Sequence, residues 1–220
     1  MVGGTRREEL EALKLEVNSF LTSVERYNSN NLPKFEKYVQ LQVSENMYDL
    51  EANLAILKLY QFFPNLYKPE IVCWILLKSL TNLPNTDFVL CRCLLGAGQL
   101  DDLNIARIAY LANLLELCQF KRFWQEKAQD ANLISQITGF DDAVRKFVCH
   151  VVNITYQSMD KTILKELLGG ITDADLRSWI AKNGWKEEPN NMIYISNQDE
   201  HVKTKNISEK ITFETVSVVM

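Results

Sequence analysis

Hydrophobic residues recur every three or four positions along most of this chain, a spacing that places them on one face of an α-helix. The pattern predicts a first amphipathic helix over residues 8–24, and Pro33 suits the first turn of a second. Asp49 suits the N-cap of a third helix that runs to Phe63, where Pro64 stops it. This third helix is apolar almost all round, which is typical of a helix buried among neighbours.

The same pattern continues toward the middle of the chain, where prolines, glycines and acidic residues separate the apolar runs. A fourth helix begins at Pro69 and is stopped by Pro84. Residues 96–102 are predicted to form a loop and a helix cap. Further helices are predicted at residues 86–95, 103–117 and 120–127, and residues 132–137 are predicted to form a helix or a turn.

Two of these helices end alike, since Lys58 and Pro64 recur as Lys78 and Pro84 at an offset of 20 residues. The offset corresponds to one helix plus one turn. A regular array of stacked helices reuses such a unit, so the similarity favours a repeat-type helical architecture.

The C-terminal part changes in character after Gly139. A strong helix is predicted from Asp141, followed by a short helix over residues 161–168 that Gly169 ends. Thr172 then caps another helix, because a hydroxyl three residues before the Asp175 carboxylate approaches a capping box.

A turn and the run Met192–Ser196, rich in strand formers, complete the order of a helix-turn-helix with a wing. We therefore predict a helical domain over residues 1–139, a winged-helix module over 140–205, and a helical C-terminal tail over 206–220.

Composition agrees with a folded protein. The chain has 220 residues, of which 47% are hydrophobic and 24% charged, with a formal net charge of −4. Such a balance excludes a mostly disordered chain, and the acidic excess argues against a large phosphate-binding face. The N-terminal residues lack the apolar run of a signal peptide, and no apolar run is long enough to span a membrane. We expect a soluble, cytoplasmic protein with reduced cysteines.

Candidate chemistry is sparse, and each candidate has a structural explanation. Gly96 and Gly98 lack the third glycine and the preceding strand of a dinucleotide-binding loop. Cys149 and His150 are neighbours on a helix and cannot face each other, so they do not form a nucleophile–base pair.

The remaining cysteines do not indicate a metal site. Cys91 and Cys93 stand two apart on a helix, so their side chains diverge and do not fit zinc spacing. A free cysteine inside a helix is usually a small buried apolar residue, and we expect that role here. We therefore predict a non-enzymatic chain with no catalytic residue, no cofactor and no metal.

The predicted winged module raises the question of nucleic acid. Its second helix, Thr172–Gly184, carries two basic and two acidic residues, so few counterions could be released on duplex binding. Weak or no direct nucleic-acid binding is expected, and protein contact is favoured. The strand Met192–Ser196 contains no Lys or Pro, and an exposed edge of this kind could pair with a partner's sheet.

Strand alternation divides the four candidate interaction residues into two pairs, Met192 with Tyr194 and Ile193 with Ile195. Either pair could face outward by alternation alone. Tyrosine and methionine are enriched at protein interfaces, which favours Met192 and Tyr194 as the outward pair.

Longer runs of the sequence resemble a known family over nearly the whole chain, from about residue 15 onward. The runs are Glu25-Arg-Tyr-Asn28, Glu36-Lys-Tyr-Val39, Tyr48-Asp-Leu-Glu-Ala-Asn-Leu-Ala55, Leu57-Lys-Leu-Tyr-Gln-Phe62, Leu80-Thr-Asn-Leu-Pro84, Gly139-Phe-Asp-Asp142, Cys149-His-Val-Val152 and Ile154-Thr-Tyr-Gln157. Together they are similar to the k-subunit family of eukaryotic translation initiation factor 3.

The resemblance implies a fold and a function. The fold is mostly α, a HEAT-like helical repeat domain followed by a small winged-helix module, similar to the PCI domains of proteasome-lid, signalosome and initiation-factor subunits. The implied function is that of a non-catalytic subunit of the initiation factor, with the l subunit as a direct partner and the small ribosomal subunit reached through the complex. The alternative is a nucleic-acid-binding winged-helix protein, which salt-dependent binding to nucleic acid would indicate.

Overall fold

The computed structural model describes the backbone of residues 2–196 and the side chains of residues 10–196. This part of the chain is mostly helical, with short 3₁₀ turns and a small sheet. The helices are α1 (Val2–Leu21), α2 (Leu32–Ser44), α3 (Leu50–Phe62), α4 (Pro69–Leu80), α5 (Asp87–Cys93), α6 (Ala97–Leu100), α7 (Leu103–Glu116), α8 (Phe120–Lys127), α9 (Ala131–Ile134), α10 (Phe140–Thr155), α11 (Lys161–Leu167) and α12 (Asp173–Asn183). The strands are β1 (Ser158–Asp160), β2 (Lys186–Glu188) and β3 (Met192–Tyr194). The predicted helical tail, 206–220, and the end of the predicted winged module, 197–205, lie outside the described residues.

The helix boundaries follow local capping chemistry. Asp49 caps α3, its Oδ1 accepting a hydrogen bond from the backbone N–H of Ala52 at 3.1 Å. Pro69 occupies the first turn of α4, where its missing N–H is not needed. One prediction was wrong in this region, because residues 97–100 form the short helix α6 instead of a loop. The N–H of Gly96 donates to Gln99 Oε1 at 2.9 Å, which closes this single turn.

The core runs without interruption from the first helix to the sheet. Val17 on α1, Ile75 on α4, Val148 on α10 and Ile193 on β3 belong to one cluster of buried hydrophobic side chains. Helix α4 packs against α2, α3, α5 and α7, so it is the central element of the array. Its mainly apolar sequence is therefore explained by burial on several sides.

A polar pair is enclosed within this core, between α2 and α3. Gln42 and Asn53 are both fully buried. Gln42 Nε2 donates to Asn53 Oδ1 at 3.0 Å, and Gln42 Oε1 accepts from Asn53 Nδ2 at 3.3 Å and from the backbone N–H of Asp49 at 2.9 Å. The pair therefore fixes the register of α2 against the start of α3.

Replacing Gln42 by Leu is expected to destabilise the protein by about 2 kcal/mol, because the Asn53 amide and the Asp49 N–H lose buried partners. Urea unfolding of the single and double variants measures this. Gln42→Leu combined with Asn53→Leu should cost less than the sum of the two single changes, since both members of the pair are then apolar. Strict additivity would contradict the role assigned to the pair.

The C-terminal module, defined here as residues 140–196, contains α10 to α12 and an antiparallel sheet of order β1-β3-β2. The predicted succession of helix, turn, capped helix and hairpin is observed. Thr172 Oγ1 accepts from the Asp175 N–H at 3.2 Å at the start of α12. Gly184, with φ of 71°, ends the helix in the left-handed conformation.

The sheet order corrects one prediction. The strand containing Met192 and Tyr194 was expected to offer a free edge, but it is the central strand and pairs with β1 and β2 on its two sides. The pairing of β1 was not located from the sequence. Its three residues contact β3 across more than thirty intervening residues, and such long-range partners leave no local pattern.

A junction formed by Trp124 of α8, Arg145 of α10 and the turn after α11 joins the helical array to the C-terminal module. Trp124 Nε1 donates to the carbonyl of Leu167 at 2.8 Å, and Arg145 Nε donates to the carbonyl of Leu168 at 3.1 Å. The Arg145 guanidinium lies 5.3 Å from the centre of the Trp124 ring, in cation–π range. Two carbonyls at the end of α11, which have no partner within the helix, thus accept hydrogen bonds from the side chains of Trp124 and Arg145.

Candidate functional site

The outer face of the three-stranded sheet carries two of the predicted interaction residues. Met192 and Tyr194 are partly exposed there, whereas Ile193 and Ile195 are buried in the core. The orientation favoured from the sequence is therefore the observed one. Contact of this face with a partner protein stays a prediction.

Cross-strand neighbours define the chemistry of this outer face. Tyr194 is paired with Ser158 on β1 and Lys186 on β2, while Met192 is paired with Asp160 and Glu188. Directly paired residues share a face of a sheet. On this face, the tyrosine is therefore flanked by a serine and a cation, and the methionine is flanked by two carboxylates.

The carboxylate of Asp160 is held in position on this face, because it caps α11. Its Oδ1 accepts from the backbone N–H of Thr162 at 2.7 Å and of Ile163 at 3.4 Å. The hydrogen bond from Thr162 is the main cause that holds the pKa of Asp160 below its usual value. Asp160 therefore stays ionised at neutral pH and links the sheet to α11.

One edge of the sheet, formed by β2, differs from the uncharged free edge expected from the sequence. The β2 edge consists of Lys186, Glu187 and Glu188, all exposed. Charged residues along an edge discourage pairing with another strand. Contact through the side chains of the outer face is therefore better supported than addition of a partner strand.

A second candidate surface lies at the end of α3 and at the two 3₁₀ turns that contact this helix, Val24–Tyr27 and Pro64–Leu66. The sequence pattern predicted burial for Val24 and for the end of α3. Val24, Tyr27, Phe62, Phe63 and Leu66 are all exposed, and we call them the aromatic patch. The Tyr27 and Phe62 rings are in contact, with centroids 6.2 Å apart. Exposed apolar residues that cluster in this way are typical of interaction surfaces.

Phe62 shows why the patch was missed. The near-continuous apolar character of α3 predicted burial on all sides, and most of the helix is buried. Phe62, however, is 59% exposed at the last position, just before Pro64 directs the chain away. The sequence does contain a signal for this exposure, because two phenylalanines stand directly before the proline that ends the helix. Side chains at such a helix end lie beyond the reach of the neighbouring helices.

The exposed side of α12 does not resemble a reading helix for nucleic acid. Asp173, Asp175, Arg177 and Lys182 are all exposed, so the charges balance. Asp173 accepts from Lys165 Nζ at 2.9 Å, which further neutralises a cation of the preceding helix. The predicted weakness of direct nucleic-acid binding rests on this balance.

The cysteines fall into two groups. Cys73, Cys91 and Cys149 are buried, and burial is the main cause that raises their pKa, to about 11, 12 and 12 respectively. Their thiols are therefore protonated and unreactive at neutral pH. Cys93 and Cys118 are exposed, so the expectation that the cysteines are buried apolar residues was wrong for these two.

No group of three His, Cys, Asp or Glu side chains is placed to hold a metal ion among the residues that the structure describes. Within the same residues, no helix combines the length and the apolar character needed to cross a bilayer.

Comparison with known proteins gives a consistent result. The model of the CSN8/PSMD8/EIF3K family matches residues 66–206. "Eukaryotic translation initiation factor 3 subunit K" of Xenopus laevis is 49% identical over 210 residues, covering 96% of both chains. The proteins of the same name from Homo sapiens and Bombyx mori are 48% and 51% identical, with the same coverage. The family resemblance identified from the sequence is confirmed, and the chain belongs to the CSN8/PSMD8/EIF3K family.

Proposed function

We propose that this chain is a non-catalytic subunit of eukaryotic translation initiation factor 3 that acts through protein contacts. The observation that carries the proposal is 49% identity over 96% of the chain to a protein named subunit K of that factor. The family membership also confirms the prediction that the chain is not an enzyme. The nucleic-acid-binding alternative is not favoured by these relatives.

The proposal also covers the domain architecture of the chain, its partners within the complex and its location in the cell. Residues 1–139 form a HEAT-like helical domain, which the packing of α2, α3, α4 and α5 against one another supports. The C-terminal module, residues 140–196, belongs to a winged-helix module whose proposed range is 140–205; its three-stranded antiparallel sheet and the helices α11 and α12 support this. The l subunit is the direct partner, the small ribosomal subunit is reached through the complex, and the protein works in the cytoplasm.

The experiment that tests the function is affinity purification of the tagged chain from eukaryotic cells at physiological salt. Mass spectrometry should recover the other subunits of the initiation factor in constant proportion. Recovery of the chain alone, or of nucleic acid that is lost as salt is raised, would contradict the proposal and favour the alternative.

The outer face of the sheet is the docking surface that we propose within this complex. Its side chains are half-buried or exposed around Tyr194 and Met192, and the β2 edge of the sheet is charged along its length. Aromatic and methionine side chains at the centre of a patch with a charged rim match the anatomy of protein interfaces. The l subunit is the occupant expected from the family resemblance.

Replacing Tyr194 by Lys is expected to leave the fold intact, because the side chain faces outward, and to weaken binding to the partner subunit by about 2 kcal/mol. The matched control is Tyr27→Lys, the same substitution on the aromatic patch. Circular dichroism measures folding, and titration of the purified partner measures affinity. If Tyr27→Lys weakens binding and Tyr194→Lys does not, the aromatic patch is the docking surface instead.

A further inference from the structure

A cleft of about 530 Å³ lies between the helical array and the C-terminal module. The loop after α2, the end of α4, the start of α10 and the end of α12 form its walls. Lys78, Lys146 and Lys182 line it, together with one carboxylate, that of Asp142. The lining therefore carries a net positive charge of two, within a chain whose formal charge is −4.

Lys78 is the unusual member of this group. Only 1% of its surface is exposed, although it lies on a cleft wall near the end of the central helix. Its Nζ makes one marginal contact, with Asn46 Oδ1 at 3.5 Å. Across residues 10–196, no carboxylate lies within ion-pair distance of Lys78. A buried ammonium with a single neutral partner is costly, and folded proteins ordinarily supply such a group with a counter-ion.

The neighbouring acidic groups are already engaged elsewhere. Asp142 pairs with Arg145 at 3.1 Å and is directed toward solvent. Asp87, buried at the start of α5, accepts from Tyr48 at 2.9 Å and from Asn82 at 2.6 Å. The cleft thus holds three donor-bearing cations whose charge the described side chains do not balance.

The walls of the cleft are held in place by packing. A Cβ on Gly139 would lie 2.6 Å from Asn46 Nδ2, so the glycine and the asparagine side chain are in close contact. Gly139 has a φ of 75°, which other residues rarely adopt. On the opposite wall, Lys182 Nζ lies 4.9 Å from the centre of the Trp179 ring, which positions this ammonium at the rim.

We propose that this cleft binds a small phosphate-bearing molecule, with Lys78 as the buried cation that contacts the phosphate and Lys146 and Lys182 as cations at the rim. Phosphate monoesters carry a charge of about −1.5 to −2 at neutral pH. This charge balances the net positive charge of the lining better than the single charge of a ligand with one carboxylate group would. Lysine ammonium groups bind phosphate as point charges. The volume falls within the range of roughly 300–1,000 Å³ found for small-molecule sites.

Protonation of Lys78 should govern this binding. Burial lowers the pKa of Lys78 to about 8, so without a bound anion the ammonium is present at pH 7 and is lost above pH 8. Tyr48, Asp142, Lys146 and Lys182 are the other titratable groups that face the cleft. Affinity for phosphate should therefore fall as the pH rises from 8 to 9, an interval above the second ionisation of phosphate, in which the charge of the ligand stays nearly constant.

The test is titration of the purified full-length chain with sodium phosphate and sodium pyrophosphate at constant ionic strength, followed by nuclear magnetic resonance of the backbone amides and the Trp179 indole N–H. We expect saturable shifts at Asn46, Gly139 and Trp179. Saturation by phosphate alone would identify the free ion as sufficient, and saturation by pyrophosphate only would indicate a larger phosphorylated ligand. Citrate binding as tightly as either probe would overturn the choice of phosphate over carboxylate.

Lys78→Met is expected to reduce the affinity at least tenfold. Lys58→Met is the matched control, because Lys58 occupies the equivalent position one repeat earlier and does not line the cleft. Lys182→Met, at the exposed rim, should weaken binding without disturbing the core. Shifts that do not saturate, or an affinity unchanged in both Lys78→Met and Lys182→Met, would refute the site.

Discussion

Replacing Gly169 by Ala is expected to destabilise the protein by about 3 kcal/mol, whereas the same change at the adjacent Gly170 should cost about 1 kcal/mol. Both glycines have positive φ, 89° and 68°, so each alanine is strained by its backbone. Only at Gly169 would the added Cβ meet a neighbour, 2.8 Å from Cδ2 of Trp124. At Gly170 nothing lies within 4 Å of that Cβ. The difference between the two variants therefore measures the close approach of the turn to the indole.

Urea unfolding of the two alanine variants measures this difference, and the Trp124 ring provides a second check. Trp124→Leu by itself should destabilise the protein, since the hydrogen bond to Leu167 and the contact with Arg145 are lost. In the Trp124→Leu background, Gly169→Ala should cost little more than Gly170→Ala, because the smaller side chain relieves the clash. Equal costs at the two glycines in the wild-type background would show that the turn does not rest on the indole.

This junction also bears on the proposed function. If the outer face of the sheet docks a partner while the helical array contacts others, the two parts must keep a fixed relation. The contacts of Trp124 and Arg145 with each other and with the carbonyls at the end of α11 are among the polar contacts through which α8, α10 and α11 meet. Ion pairs between Lys121 and Glu166 and between Lys127 and Asp141 also join these helices. A variant that loosens the junction would leave the surfaces of the helical array and of the C-terminal module unchanged. It would nevertheless weaken an assembly that contacts both of them.

Features with a local cause could be predicted from the sequence. Thr172 and Gly184 mark the ends of α12 correctly, because capping depends on hydrogen bonds between residues close in the chain. Asp49 marks the start of α3 for the same reason, and Pro69 marks the start of α4 because the first helical turn does not need its missing N–H. The family resemblance is equally robust, since it rests on many short runs spread along the chain.

Features that depend on distant partners could not be predicted. The central position of β3 depends on its pairing with β1, whose three residues give too weak a strand signal. The burial of Lys78 depends on the tertiary packing around the end of α4, beside residues of α10 and α12 that are distant in the sequence. By sequence alone, Lys78 and the half-exposed Lys58 occupy equivalent positions, and only the tertiary arrangement distinguishes them.

Lys78→Met is expected to stabilise the ligand-free protein by about 3 kcal/mol at pH 7. Burial lowers the pKa of Lys78 from 10.5 to about 8, and a tenfold change in the acid dissociation constant corresponds to about 1.4 kcal/mol. Below pH 8 the lysine is protonated in both the folded and the unfolded chain, so the full cost of the buried charge is present. Methionine has a similar shape and no charge, so it can occupy the same space without that cost.

The stabilisation should depend on pH in a defined direction. As the pH rises from about 8 toward 10.5, folded Lys78 loses its proton while the unfolded chain keeps it, so the wild-type protein gains stability relative to Lys78→Met. Groups whose pKa is raised, such as Tyr48 at the cleft and buried Cys91, titrate in both variants and largely cancel in the difference. The free-energy difference between the two proteins should therefore shrink across this interval, as measured by urea unfolding at pH 7, 8, 9 and 10. Lys58→Met, which removes a lysine that does not line the cleft, is the matched control and is measured under the same conditions. A difference at Lys78 that stays constant up to pH 10 would show that its ammonium is not held in a poorly compensated environment, and the proposed phosphate site would lose its physical basis.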